Sequence, residues 1–445
     1  MAYSYGSGKS NSYRGGGKKN YTNHQGQSSY RGGKKNYHNS KGGRGGRGRG
    51  YQPAELSNPH VKINGKSLDG HIFKQHAAIG NSDRKSHQKN NQSQNHSPTA
   101  DVALWNDPTT NTLKFFTGSH DGYWRLYNTA NGLFAKEVEH HMGGKVTRLM
   151  VESNFLFCCF EGTASKVPGA TVGMIFAWNL SKPGDAPVEF HMSEGDFAPY
   201  AHAFGVSSFI TSGDQCFSGG QDGVIRIWKF DSSLNSGKGG FRLMDTCCGH
   251  AREITGLVMA SNGMLWSCST DHTIRLWDSN SKWECKHLIS QALLGTATSD
   301  PATNNGSNGH SDAITGLMAV DLPQGNFIMS CSLDHEIKIW NSSNGECVST
   351  TSNGVGITCM ALSSDLKGNQ LLLCGSDDGR IIVRSLSQTQ KVAPMTLLCC
   401  IDDRFNESHD QGPIKSIKTG PGSTFYTAGD DGQLMIWQIS GDLNL

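Results

Sequence analysis

Before residue 158 the chain contains no cysteine, although 13 follow between Cys158 and Cys400. No two of them have C-x-x-C spacing and the count is odd, so neither a disulfide framework nor a zinc site is supported. No apolar run reaches 18 residues, which excludes a membrane-spanning helix. No signal peptide opens the chain, and thiols set inside runs such as Phe155-Leu156-Phe157-Cys158-Cys159-Phe160 read as small core residues of a reduced, intracellular protein. Charged residues are sparse at 18% of 445 residues while Gly reaches 55, a turn-rich balance that argues against a helical bundle. The first 51 residues lack Asp, Glu, Trp, Phe, Val, Ile and Cys altogether. Such a stretch cannot offset the entropy of ordering its backbone and reads as a disordered tail.

What that tail does contain is narrow: Gly, Ser, Asn, Lys, Arg and Tyr dominate it. Residues 1–100 carry 17 Lys+Arg against 3 Asp+Glu, a balance of +14, and residues 101–445 carry 23 against 35, or −12. The net +2 of the whole chain therefore hides a basic arm on a mildly acidic body. Tyr13-Arg14-Gly15-Gly16 recurs as Tyr30-Arg31-Gly32-Gly33, and Lys18-Lys19-Asn20-Tyr21 as Lys34-Lys35-Asn36-Tyr37; Arg44, Arg47 and Arg49 follow in a Gly-rich block. Arg and Lys neutralise phosphates, Tyr and the guanidinium plane stack on bases, and Gly lets the backbone conform. This segment resembles the RGG boxes of RNA-associated proteins. The resemblance implies RNA or other single-stranded nucleic acid as a partner, arginine methylation, and Arg14, Lys18, Lys19, Arg31, Lys34, Lys35, Arg44, Arg47, Arg49, Tyr13, Tyr21, Tyr30 and Tyr37 as contact residues. A passive solubilising tail, or Tyr–Arg self-association, uses the same composition. Residues 52–98 continue polar and read as a linker.

From residue 99 to 440 a local pattern repeats. In its clearest copies, ending at Trp228, Trp277 and Trp340, an Asp precedes the Trp by six, as in Asp271 and Trp277. Weaker copies end at Tyr127, Arg384 and Trp437, and one ending at Trp178 is interrupted by an insertion, which makes seven units. After each Asp the chain alternates, as Ile225 and Ile227 do about Arg226, the period-two signature of a strand with one face buried. Asp-Gly or Asp-His between two such strands is tight-turn chemistry.

The pattern resembles the WD-repeat β-propeller family, which implies an all-β, seven-bladed propeller whose blades close around a channel. Gly249-His250 and Gly309-His310 supply that family's second signature. The resemblance then implies two buried hydrogen-bonded sets, His250, Ser267, Asp271 and Trp277, and His310, Ser330, Asp334 and Trp340. Such recurring sets are scaffolding rather than catalytic triads. Elsewhere the family pattern lapses: Cys374 stands at the hydroxyl position, Tyr127 and Arg384 at the Trp position, and His409 falls one residue out of register before Ile414. Less rigid blades are expected there. The strand that completes the last blade is sought upstream, at 61–64 or 72–76.

The stretches around Ile357 and Ile414 are similar to the propeller of plant-type proteins that join a CCCH zinc finger to WD repeats. That finger needs three cysteines upstream of the propeller, so it is absent, and no metal or cofactor is expected. Expectation therefore centres on a non-enzymatic scaffold tethered to RNA by its tail, with protein partners on the propeller faces. Insertions at 163–171, 229–240 and 290–308 are the candidate specificity loops. The alternative is a substrate receptor of a ubiquitin-ligase assembly, for which Trp277-Asp278-Ser279-Asn280-Ser281 lacks the basic residue of a WD-x-R/K end. Nucleus and cytoplasm both suit the chain, and the Lys and Arg clusters of the tail favour the nucleus.

Overall fold

The computed structural model describes residues 97–130, 134–163, 169–192, 200–234, 239–291, 308–386, 395–401, 409 and 412–439, with the backbone of Lys62–Ile63, Lys66–Ser67 and Phe73–Gly80. The tail and its proposed RNA contacts lie outside these residues. Among the described residues the strands form five four-stranded sheets, one eight-stranded sheet and a two-stranded ribbon of Lys62–Ile63 with Lys66–Ser67. No described helix is long and apolar enough to cross a membrane.

The sheets resolve into antiparallel units of four strands, numbered here in chain order. Unit 1 comprises Thr99–Asp107, Thr112–Ser119, Tyr123–Asn128 and Ala135–His141. Unit 2 is Val146–Glu152, Phe155–Thr163, Thr171–Asn179 and Val188–His191; unit 3 is Val206–Ser212, Gln215–Gly220, Val224–Asp231 and Gly240–Cys248. Unit 4 is Ile254–Met259, Met264–Ser269, Ile274–Asp278 and Glu284–Ile289; unit 5 is Ile314–Leu322, Gly325–Ser332, Glu336–Asn341 and Cys347–Ser352. Unit 6 is Ile357–Ser364, Gln370–Ser376, Ile381–Ser385 and Thr396–Ile401. Unit 7 joins Ile414–Thr419, Thr424–Gly429 and Gln433–Ile439 to Phe73–Gly80, which pairs antiparallel with Gln433–Ile439. Each repeat end found in the sequence sits on the third strand of its unit. Units 2 and 3 make up the eight-stranded sheet, because Phe190 and His191 pair in parallel with Phe241 and Arg242 across their outer edges.

The first strands lie side by side in circular order, and that of unit 7 neighbours that of unit 1, so the array is a closed propeller. Its core is accordingly divided into layers between units rather than gathered in one centre. Leu265, Trp277 and Ile225 fill the layer between units 3 and 4, while Phe115, Tyr127, Tyr426 and Ile436 close the ring between units 1 and 7. Alternation along each strand supplies one apolar face to each layer.

Tight turns join the second and third strands. In six units the Asp of the turn accepts a hydrogen bond from the backbone N–H two residues on, as Asp271 does from Thr273 at 2.9 Å and Asp431 from Gln433 at 3.0 Å. The next residue takes a left-handed conformation, Gly223 at φ +73° but His272 at φ +69° and His335 at φ +73°. Non-glycine residues there carry strain that the neighbouring bonds must hold.

Strand direction sorts the three insertions. Those at 163–171 and 290–308 join second to third strands and fourth to first strands, so their described ends leave the sheet on the same face as the Asp turns. That at 229–240 joins third to fourth strands and belongs to the opposite face. Part of it is no loop: Lys229, Phe230 and Asp231 pair with Arg242, Phe241 and Gly240 and lengthen the hairpin of unit 3.

Candidate functional site

The sequence sets in units 4 and 5 assemble in space. Trp277 Nε1 donates to Ser267 Oγ at 2.8 Å, the Ser267 hydroxyl meets His250 Nε2 at 2.8 Å, and His250 Nδ1 meets Asp271 at 2.9 Å. Unit 5 repeats this with Trp340, Ser330, His310 and Asp334 at 2.8, 2.7 and 2.7 Å. With the indole N–H already on the hydroxyl oxygen, the hydroxyl proton goes to Nε2, which leaves Nδ1 to donate to the carboxylate.

Two further complete sets were not found in the sequence. In unit 3, His202 meets Asp222 at 3.0 Å and Ser218 at 2.7 Å, with Trp228 on Ser218 at 2.8 Å. His202 follows Ala201 rather than Gly, yet it stands four residues before Val206, as His250 stands before Ile254; that spacing was the available signal. In unit 7, His409 meets Asp431 at 2.8 Å and Thr427 at 3.0 Å, and Trp437 donates to Thr427 at 2.9 Å. The expected loss of register at His409 is thus corrected. Its extra residue is absorbed before Ile414, where Gly412 takes φ +110°.

Burial raises the carboxyl of Asp271, but bonds from His250, Thr273 and the Ala251 amide prevail and hold it well below the usual range; Asp222 is depressed in the same way. Burial pushes the His202 and His250 imidazoles below their ordinary value, against the pull of their Asp partners. In units 3 and 4 the histidine is therefore neutral and the Asp ionised at pH 7. Ser-His-Asp connectivity of this kind is shared with hydrolytic triads, but Ser218, Ser267, Ser330 and Thr427 are wholly buried and each faces an indole. No substrate reaches those oxygens. His310, Asp334 and Glu336 also cluster closely enough to suggest a cation site, yet His310 and Asp334 bond each other and Glu336 pairs with Lys338 at 2.8 Å.

The remaining units fill the same positions differently. Unit 1 has an ion pair, with Arg125 Nη2 on Asp121 at 2.7 Å and the Ser119 hydroxyl bonded to the same carboxylate. Unit 2 has the fully buried Cys158 at the hydroxyl position, diagonal to a half-buried Trp178. In unit 6 the buried Arg384 guanidinium donates to Asn353 Oδ1, Met395 O and Ser352 O, each at 2.7 Å. Loss of the Trp there brings more hydrogen bonds, not fewer, so looser packing does not follow.

The surfaces facing the channel carry a second repeated device. Every first strand has a β-bulge at the same point, and in units 2 to 6 the bulged residue is Thr147, Ser207, Thr255, Thr315 or Thr358. Each hydroxyl donates to a carbonyl of the next unit, at 2.6 Å to Val206, 2.9 Å to Ile254, 2.5 Å to Ile314, 2.6 Å to Ile357 and 2.5 Å to Ile414. Units 7 and 1 have Lys415 and Ala100 at the bulge. There Asp101 takes over, accepting from Ser416 Oγ of unit 7 at 2.7 Å and from the Leu149 amide of unit 2 at 3.0 Å.

With its catalytic-looking groups spent on one another, the molecule offers surface. Unit 3 exposes Phe204, Phe230 and Met244 at 56%, 48% and 54%. Large apolar side chains left in water mark candidate docking points.

This ring of sheets with its His-Asp-hydroxyl-Trp sets defines a class: the chain belongs to the WD-repeat β-propeller family. Residues 193–291 match the IP5P C-F beta-propeller model and residues 304–341 the WD domain, G-beta repeat model. A yeast relative, the Regulator of rDNA transcription protein 13 of Saccharomyces cerevisiae, is 31% identical over 145 residues, covering 29% of this chain and 74% of the relative. The Zinc finger CCCH domain-containing protein 17 of Oryza sativa subsp. japonica is 24% identical over 73% of this chain and 60% of its own length. The Ribosome biogenesis protein WDR12 homolog of the same rice is 24% identical over 57% of this chain and 58% of its own length. Both rice proteins thus extend well beyond the matched region. The WD40 beta propeller domain of Doa1 superposes with a TM-score of 0.55 at 18% identity, covering 82% of this chain and 96% of that one, which shows the fold.

Proposed function

We propose that this chain is a non-enzymatic scaffold tethered to RNA, with residues 1–51 holding the transcript while the propeller recruits protein partners. The observation that carries the reading is the segregation of chemistry along the chain: 11 Lys and Arg with no acid, and seven of the eleven tyrosines, lie in the first 51 residues. Nothing in the propeller duplicates that alphabet. Two relatives bear names from ribosome biogenesis and rDNA transcription, a setting that suits RNA tethering and favours the nucleus. The exposed Phe230 and Met244 of unit 3 are the proposed protein contacts.

Ultraviolet crosslinking and RNA recovery from the full chain, and from a form starting at Gln52 that keeps the Phe73–Gly80 strand, tests the tether. Recovery should fall at least tenfold without the tail. In the full chain it should decline steeply between low and moderate salt, because several counterions leave with each contact made. Equal recovery from both forms overturns the assignment to the tail.

A further inference from the structure

The seven first strands surround a central channel that holds a cavity of about 320 Å³. Just after each bulge one residue occupies the same level of this channel: Asp101, Arg148, Ser208, Gly256, Gly316, Cys359 and Ser416. Six of these are small or, like Asp101, already bonded to neighbouring strands. Arg148 is the long one. Its Nε donates to Ser207 O at 2.6 Å, and among the described residues its two Nη groups have no partner. They are not buried either, so they stand in the solvent of the channel.

A second cation stands two units away around the ring, on the other side of unit 1. Lys418 of unit 7 lines the same channel, is exposed, and makes no ion pair among the described residues. Arg148 and Lys418 both act on the Cys359 thiol of unit 6. Burial pushes that thiol up to about 11, and the two positive charges pull the other way. Arg148, Lys418 and Cys359, from units 2, 7 and 6, line the same cavity. The one carboxylate lining it, Asp101, is saturated by Ser416 Oγ, the Leu149 amide and its own Val102 amide at 2.9 Å, and pairs with neither cation. Lys415 is held by Asp430 at 3.2 Å. Two unspent positive charges thus sit inside a body whose residues 101–445 sum to −12.

We propose that the central channel is a binding site for one oxyanion group, a carboxylate or a phosphate, gripped by the Arg148 fork with Lys418 as the second cation. Guanidinium matches such groups through paired N–H bonds, and this one is already oriented by Ser207. A space of about 320 Å³ has room for a side-chain-sized group. The rival account makes Arg148 only a tie between units 2 and 3.

Thermal melting of the full chain at constant ionic strength separates the two. Sodium pyrophosphate is the free-anion probe and hexaglutamate the peptide probe, each against sodium chloride. At least one should raise Tm over chloride, pyrophosphate alone indicating a small free ligand and hexaglutamate alone a partner's acidic side chain. Lys418→Gln lies on an exposed side chain and should keep the chloride Tm while losing most of that increment. Arg148→Gln should abolish the increment, Arg148→Lys should restore part of it, and Lys286→Gln on an outer strand should change nothing. The tail is common to every variant, so anions bound there cancel. No increment in the unaltered chain overturns the proposal. An increment that survives both Arg148→Gln and Lys418→Gln overturns it as well, as does a fall in the chloride Tm of Arg148→Gln with the increment intact.

Discussion

Units 3, 4, 5 and 7 hold a complete His-Asp-hydroxyl-Trp set, and units 1, 2 and 6 do not. The second group is not a degraded copy of the first. What the position between the strands demands is that buried polar groups be paired, or else be absent. Four units meet the demand with one four-residue network. Unit 6 meets it with Arg384 reaching into unit 5, unit 1 by pairing the buried Arg125 with the less buried Asp121, and unit 2 by having Cys158, a small apolar thiol, where a hydroxyl would need a partner. The constraint acts on satisfied bonds, and residue identity is free to drift beneath it.

The contrast can be broken most severely at unit 6. Arg384→Leu strips partners from Asn353 and two carbonyls, and should cost about 3 kcal/mol or more in urea unfolding, against the near-neutral effect expected of a vestigial position. Removing the matching carboxylates comes next. Asp271→Ala orphans His250 and the Thr273 amide in a buried network and should cost about 2–3 kcal/mol, while Asp121→Ala, at a more solvated pair, should cost about 1 kcal/mol or less. Equal losses would mean the two arrangements are equivalent.

Acid should sharpen the comparison further. The imidazoles of His202 and His250 are held below their ordinary value, so the unfolded chain takes up protons first. Their contribution is complete above about pH 6.5 and is lost as the pH falls from there through the lower folded-state value, at up to about 1.4 kcal/mol per pH unit for each. Tm should decline between pH 7 and 5.5, and the double variant His202→Gln with His250→Gln should flatten that decline. The smallest effect belongs to the channel wall: Thr255→Val gives up one hydroxyl-to-carbonyl bond between units 4 and 5, worth about 1 kcal/mol by the same unfolding measurement.

The repeat was legible because it is local. Asp and Trp six residues apart lie on one turn and one strand, and alternation around Arg226 or Lys338 marks the strand, although both of those side chains are themselves buried. The sets at units 3 and 7 were less so, because the histidine arrives from another part of the chain and its place depends on the loop before the strand: His202 lacks the preceding Gly, and His409 has one residue to spare. Arg384 read as a missing Trp, since its partners Ser352 and Met395 meet it only after units 5 and 6 pack. The ring of hydroxyls left a trace in Val146-Thr147, Ile254-Thr255 and Ile314-Thr315, but an inter-unit bond has no period along one strand, and only the closed array gives those pairs their meaning.

Synthesis order gives the Phe73–Gly80 strand a particular history. It leaves the ribosome before any unit exists, and its partner Gln433–Ile439 is made after six units are complete. Through nearly all of translation one sheet edge has nowhere to pair, and the first layer of unit 1 stays open to water. A contact spanning so much sequence closes slowly, and the waiting edge is open to aggregation or chaperone capture. The nascent propeller is therefore most vulnerable while its last unit is being made, when one missing strand still holds the whole ring apart.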